Sequence, residues 1–414
     1  MRHSSPFALR DFRLLLLGQT TSQFGAQVSG VAIPLLAVLV LHASPLQLGV
    51  VNAAGTAAFA LIGLPAGAWI DRWRRRPILI SSDIIRAVVL STVPLAWWLG
   101  VLTVWQLIAV SALVGVARVF SDVGYQSYIP SVIGKDKVLA GNSLMESIRA
   151  FGQVLGPGVG GWLVAFAGAA NVVLIQAGTF AVSAVSLLSI RVREPRILLS
   201  PERPHLRTDI VEGLRFVGRN PVLRALAITS GASNFGFAIA SAVTFIFMSD
   251  TLGLGPTAIG LILALGSITV MLGASLTPKL AAHLGSARII WLALAVTGPI
   301  TLLGALARPG PLVALLIVGT AAGELGQIIY AITNVSLRQR LCPERLLGRV
   351  NATMRVLVLG PFPLGALVGG LLGEHIGLRA TLWLALSITC IAPTPVYLAL
   401  HHVRDVTPPG DDPQ

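Results

Sequence analysis

The chain has 414 residues, 54% of them hydrophobic and only 11% charged, with a formal net charge of +13 and a mean hydropathy of +0.80. So small a supply of charge excludes an ordinary soluble globular domain and points to lipid as the solvent. The basic excess does not describe a nucleic-acid surface either. Lys and Arg stand at the ends of apolar segments rather than on one face interleaved with base-reading side chains, so no nucleic-acid partner is expected.

Twelve apolar stretches follow in chain order, over 12–41, 46–70, 77–99, 104–126, 141–167, 170–190, 222–249, 256–280, 287–307, 311–334, 350–373 and 380–401. Each is near the roughly 20 residues that an α-helix needs to cross a bilayer. The first is too long for a signal-peptide core and is expected to be retained. Basic residues fill every second gap, around Arg72–Arg76, Lys135–Lys137, Arg191–Arg219, Lys279–Arg288 and Arg338–Arg349. The alternate gaps near His42–Pro45, Gly100–Val104, Ala167–Asn171 and Asp250–Gly255 carry none. The positive-inside rule then places both termini on the cytoplasmic side of a bacterial inner membrane, a source also suggested by 27 Arg to 3 Lys. Cys342 and Cys390 are too differently placed for a disulfide.

Residues 191–221 interrupt the rhythm with seven Arg. They read as a cytoplasmic linker, with a short amphipathic helix over 209–217, between two six-helix halves at 1–190 and 222–403. Residues 404–414 are a cytoplasmic tail. The halves are related: an offset of 209 residues aligns Asn142 with Asn351, Met145 with Met354, Leu155-Gly156 with Leu364-Gly365 and Gly160-Gly161 with Gly369-Gly370. Such a duplication predicts an all-α fold of parallel repeats with a binding cavity between them.

Two motifs carry a family resemblance. Gly67-Ala-Trp-Ile-Asp71-Arg72-Trp-Arg74-Arg75-Arg76, between spans 2 and 3, resembles the GxxxDRxxRR signature of the major facilitator superfamily. Gly152-Gln-Val-Leu-Gly156-Pro157-Gly-Val-Gly160-Gly161, in span 5, is similar to the GxxxGPxxGG motif of that superfamily's drug:proton antiporters. Asp83 and Arg86 in span 3 and Asn142 opening span 5 resemble the branch that contains macrolide and enterobactin exporters. The resemblance implies a conformational latch in which Asp71 meets the N-terminus of span 11, with Gly67 allowing close approach and Arg72, Arg75 and Arg76 pairing with acids or lipid headgroups. It also implies that the Gly152–Gly161 stripe packs against span 8.

Charges inside the spans are the clues to energy coupling, because an unpaired one at mid-bilayer costs about 2.5–3.5 kcal/mol on insertion scales. Arg86, Arg118, Arg149 and Arg355 face Asp83, Asp122, Glu146 and Glu324, four of each sign. Asp83 with Arg86, and Glu146 with Arg149, lie three apart on one helix and are expected to pair. Asp122 is expected to serve the Arg72–Arg76 loop. Arg118 resembles the arginine of the superfamily's RxxQG motif, although Ser121 and Asp122 replace its Gln and Gly. Glu324 lies about 20 Å into span 10, at 1.5 Å per residue, with no cation within a turn on its own helix. It is the first candidate for the coupling proton, ahead of Asp122 and Arg118; a fixed pair with Arg118 or Arg355 is the alternative. Gln19, Gln23 and Gln27 on one stripe of span 1, with Asn234, Gln327 and Tyr330, are candidates to line a substrate cavity.

The expected function is a monomeric secondary exporter of drug-like or siderophore-like molecules, driven by proton entry and working by alternating access. A facilitator or importer of a small metabolite is the alternative on the same fold. An enzyme is not expected, since the sequence carries neither an HExxH nor a Walker A loop. No cofactor and no metal are expected.

Overall fold

The computed structural model describes residues 9–70, 73–134, 138–192, 194 and 206–403. Its elements are α1 (Arg10–Leu39), α2 (Pro45–Ile70), α3 (Arg75–Trp98), α4 (Val104–Ile133), α5 (Val138–Ala167), α6 (Ala169–Leu188), α7 (Leu206–Arg219), α8 (Pro221–Ile246), α9 (Pro256–Leu284), α10 (Ser286–Thr301), α11 (Leu303–Leu306), α12 (Val313–Leu341), α13 (Glu344–Leu359), α14 (Pro361–His375), α15 (Leu378–Ile391) and α16 (Thr394–Leu400). A π-helical turn over Phe247–Thr251 closes α8. The fold is all-α, and among the described residues twelve helices are long and apolar enough to cross a membrane. Three expected spans are interrupted. Span 9 is α10 and α11, span 11 is α13 and α14 broken before Pro361, and span 12 is α15 and α16 broken at Pro393. Prolines at two of these breaks remove the backbone donor that would continue the helix. The linker helix α7 is longer than its expected 209–217.

Local chemistry starts the helices where the loops end. The Thr103 side chain accepts the Gln106 N–H at 3.3 Å to open α4. Asn220 Oδ1 accepts from Val222 and Leu223 at 3.0 and 3.1 Å, with Pro221 at the first helical position of α8. Ser44 and Gln47 form a reciprocal cap at α2, Ser44 N–H donating to Gln47 Oε1 at 2.9 Å and Gln47 N–H to Ser44 Oγ at 3.3 Å.

The chain divides into two compact units: Met1–Ala43, Ala54–Pro201 and Leu254–Ala264 form the first, and Ser44–Ala53, Glu202–Gly253 and Leu265–Gln414 the second. Each unit therefore takes in the opening turns of one helix from the other half, α9 in the first and α2 in the second. In the first unit α1 packs on α5 and α6, and α3 on α4 and α6. In the second, α8 packs on α14 and α15, and α10 on α12 and α15. The four pairings are the same, so the duplication read from sequence recurs in the packing. Helix starts sharpen it. α1, α2 and α3 begin 211 residues before α8, α9 and α10, whereas α4 and α6 begin 209 before α12 and α15.

Candidate functional site

In the first unit a charged knot is buried between α3, α4 and α6. Asp83 and Arg86 form an ion pair on one turn of α3 and are 1% and 7% exposed. The Arg86 guanidinium also donates to Ser121 Oγ at 2.6 Å and lies 4.1 Å from the Phe180 ring centroid. Ser183 Oγ donates to the second Asp83 oxygen at 2.6 Å. Every strong charge in this knot has a partner, the condition under which a buried pair is tolerated. Glu146 and Arg149 pair on α5, as expected.

Asp122 has a partner on its own helix, and Arg72 of the loop it was expected to serve lies outside the described residues. Asp122 pairs with Arg118 one turn away on α4, at 3.6 Å, with side chains 35% and 65% exposed. The acid at the Arg75–Arg76 end of α3 is instead Glu194, whose Oε1 accepts both backbone N–H groups at 3.0 and 3.2 Å. Arg76 turns its guanidinium to the carbonyls of Leu187 and Leu188 at 3.0 and 2.8 Å, satisfying the C-terminal end of α6. Sequence spacing missed Glu194 because it lies more than a hundred residues from the helix it caps. Asp71 and Arg72 fall outside the described residues, as do the surroundings of Gly67.

The second unit has a neutral knot at the equivalent depth. The Tyr330 hydroxyl donates to Leu226 O at 3.1 Å, so Ser230 Oγ must donate to it at 2.8 Å. Asn334 Nδ2 donates to both oxygens at 3.0 and 3.1 Å. Tyr330 is 2% exposed and so sits within the helix pack. Asn234, half-buried, donates to Ser230 O at 2.9 Å. With the 209-residue offset, Tyr330 and Asn334 are the counterparts of Ser121 and Tyr125.

Glu324 lies in the middle of α12, half-buried. Among the described residues it joins none of the ion pairs, which take up Asp83, Asp122 and Glu146. Its repeat counterpart is Gly115. A Cβ at Gly115 would lie 2.5 Å from Gly55 O, while at Gly266, the counterpart of Gly55, it would lie 3.6 Å from Glu324 Cγ. Where one unit closes two helices backbone to backbone, the other opens them around a carboxyl. Arg355 lies in α13.

The glycine stripe of α5 divides between two neighbours, which corrects the expectation that it packs as a whole on span 8. Gly152 and Gly156 face Gln27, and Gly160 faces the Val28 backbone, with 2.7 Å between a Cβ there and Val28 O. Gly158 and Gly161 meet α9, a Cβ at Gly158 lying 3.4 Å from the Ala264 Cβ and one at Gly161, about 100° round the helix from Gly160, 2.8 Å from the Gly260 Cα. Pro157 stands inside a continuous α5, and its carbonyl is 2.5 Å from a Cβ at Gly260. The second unit repeats the scheme, Gly369 on Ile239 and Gly370 on Pro45, Leu46 and Gly49. Gln19, Gln23 and Gln27 are half-buried along α1, and Gln327 is half-buried on α12. Among the described residues no group of three or more His, Cys, Asp or Glu could hold a metal ion. Cys342 and Cys390 are free thiols, and burial pushes the Cys342 thiol above its ordinary range.

Among the described residues, twelve helices of membrane-crossing length and composition, arranged in two like units, define a multi-pass membrane transporter. The family model described as Major Facilitator Superfamily matches residues 15–358, and the chain belongs to that superfamily. It is 30% identical over 406 residues to the multidrug efflux pump Tap of Mycolicibacterium fortuitum, covering 95% of this chain and 96% of the relative. It is 26% identical over 373 residues to the enterobactin exporter EntS of Shigella boydii serotype 18 (strain CDC 3083-94 / BS512), covering 87% and 85%. Both relatives bear out the exporter-branch resemblance read from span 5 and span 3. Among solved structures, a bacterial homologue of the iron transporter ferroportin in its inward-facing state superposes with a TM-score of 0.75 at 19% identity, covering 94% of this chain and 98% of that one. The nucleoside transporter NupG gives 0.76 at 13% identity, covering 94% and 98%. These two likenesses are of fold.

Proposed function

We propose that the protein is a secondary exporter of drug-like or siderophore-like small molecules, exchanging them for protons by alternating access and acting as a monomer in a bacterial inner membrane with both termini cytoplasmic. The observation that carries the reading is Glu324. Of the four acids inside the spans it alone joins no ion pair among the described residues, and it stands where the other unit has a tightly packed glycine. A mid-membrane carboxyl without a counter-ion is a group that can load and release a proton as the cavity changes sides. Export as the direction is supported by the efflux pump and exporter among the relatives. The Gly67–Asp71 segment with Arg72, Arg75 and Arg76 is the latch of this cycle, and Asp122 and Arg118 support the coupling.

Reconstituted protein should show proton flux on addition of its substrate, screened across macrolides, tetracyclines and siderophores. Glu324→Gln mimics the protonated acid, so uphill export should fail while exchange of substrate down its own gradient persists. Uphill transport with an unchanged pH dependence in that variant would place the coupling acid elsewhere.

A further inference from the structure

Arg118 is the middle of α4, fourteen residues from the first residue of a 30-residue helix. Its side chain is nonetheless 65% exposed. A guanidinium is costly against lipid tails at that depth, so an exposed one belongs on a water-filled face. Its repeat counterpart, Gln327, is half-buried on α12, so this register carries a polar side chain in both units.

The grip on Arg118 is loose. Asp122 approaches it at 3.6 Å, beyond hydrogen-bond distance, and is itself 35% exposed. By contrast, Arg86 on α3 is shared between Asp83 and Ser121, and Asp122 adds to the field around it. Asp122 is therefore within electrostatic reach of two arginines, Arg86 held by two close partners and Arg118, among the described residues, by Asp122 alone. We propose that Arg118 is an anion-recognising residue of the transport site, and that cargo bearing a carboxylate or comparable anionic oxygen binds it by displacing Asp122, which then relaxes toward Arg86. The proposal rests on the exporter reading above and names the chemistry of its substrate. A planar guanidinium whose N–H groups make no hydrogen bond among the described residues fits a carboxylate by two parallel hydrogen bonds, a geometry that Asp122, at 3.6 Å from Nε, does not achieve.

The test uses two dyes on the same xanthene ring, anionic fluorescein and cationic rhodamine 123. Each is titrated by fluorescence anisotropy with the full chain in zwitterionic nanodiscs, empty discs serving as blanks. Fluorescein should bind the parent protein. Arg118→Gln should weaken it by about tenfold or more, the loss expected for one charge-assisted contact, while leaving rhodamine 123 unchanged. Arg118→Lys should keep part of the affinity, and Asp122→Asn should tighten fluorescein binding by releasing the arginine. Absence of fluorescein binding, an equal loss of both dyes in Arg118→Gln, or weaker fluorescein binding in Asp122→Asn would overturn the proposal. A second arm loads the dyes into proteoliposomes under a proton gradient. Arg118-dependent binding without gradient-driven efflux sustains this inference and defeats the exporter reading; efflux of rhodamine 123 alone, with no fluorescein binding, does the reverse.

Discussion

Asp83 and Arg86 are the most deeply buried opposite charges described in the chain, and their energetics are decided by what would remain if one were removed. Losing a single partner leaves an uncompensated charge in a low-dielectric interior, at a cost of about 3–5 kcal/mol, whereas replacing both by apolar groups of similar volume is close to neutral. The second unit already contains the uncharged version. With the 211-residue offset, Leu294 and Thr297 stand at the counterpart positions, 4% and 8% exposed. Asp83→Asn should therefore lower the thermal unfolding midpoint in detergent markedly, and Asp83→Leu with Arg86→Met should recover most of the loss. A double variant as unstable as the sum of its singles would mean that the pair stabilises the unit by more than mutual neutralisation. The i, i+3 pairing was legible in the sequence because helical geometry alone brings those side chains together. Ser121, Ser183 and Phe180 were not, since they reach the pair from other helices and only packing selects them.

At the scale of elements, glycines set how closely helices approach. A Cβ at Gly161 would lie 2.8 Å from the Gly260 Cα, and one at Gly370 would lie 3.2 Å from the Gly49 Cα. Both crossings join a late span of one repeat to the start of the equivalent early span of the other, and van der Waals contact between small residues is what holds helices together in lipid. Gly161→Ala and Gly260→Ala should each cost about 1–3 kcal/mol by overpacking, read as a lower unfolding temperature or reduced folded yield. Gly178→Ala, with open space where its Cβ would stand, should be silent. Equal tolerance at all three positions would deny the crossings their tight fit. The spacing of these glycines was visible in the sequence, but their division between two neighbours was not. Position along a helix predicts a face; it does not say which helix covers that face. The linker shows the same limit. Its amphipathic character was readable, whereas its seat was not: Gly213 lies against the Arg349 carbonyl, 2.9 Å from a Cβ there, and Glu212 pairs with Arg349.

For the whole molecule, orientation is a consequence of charge. Cysteines introduced at Thr103 and Arg219 should report it, the first labelled by a membrane-impermeant maleimide from outside intact cells and the second only after permeabilisation. External labelling at 219 would invert the proposed topology. The length of the apolar stretches and the alternation of basic gaps determined the class and the number of spans, and the 209-residue self-match the duplication, from sequence alone, because the cost of exposing polar backbone or charge to hydrocarbon is paid residue by residue and leaves a local record. The tertiary structure decided which charges are neutralised. It joined Asp122 to Arg118, set Glu194 on the start of α3, and left Glu324 outside every ion pair among the described residues. It also put the opening turns of α2 and α9 into the unit opposite their own half. Such pairings join residues far apart in the chain, and the physical forces that select them, close packing and the desolvation of charge, act only once the helices have met.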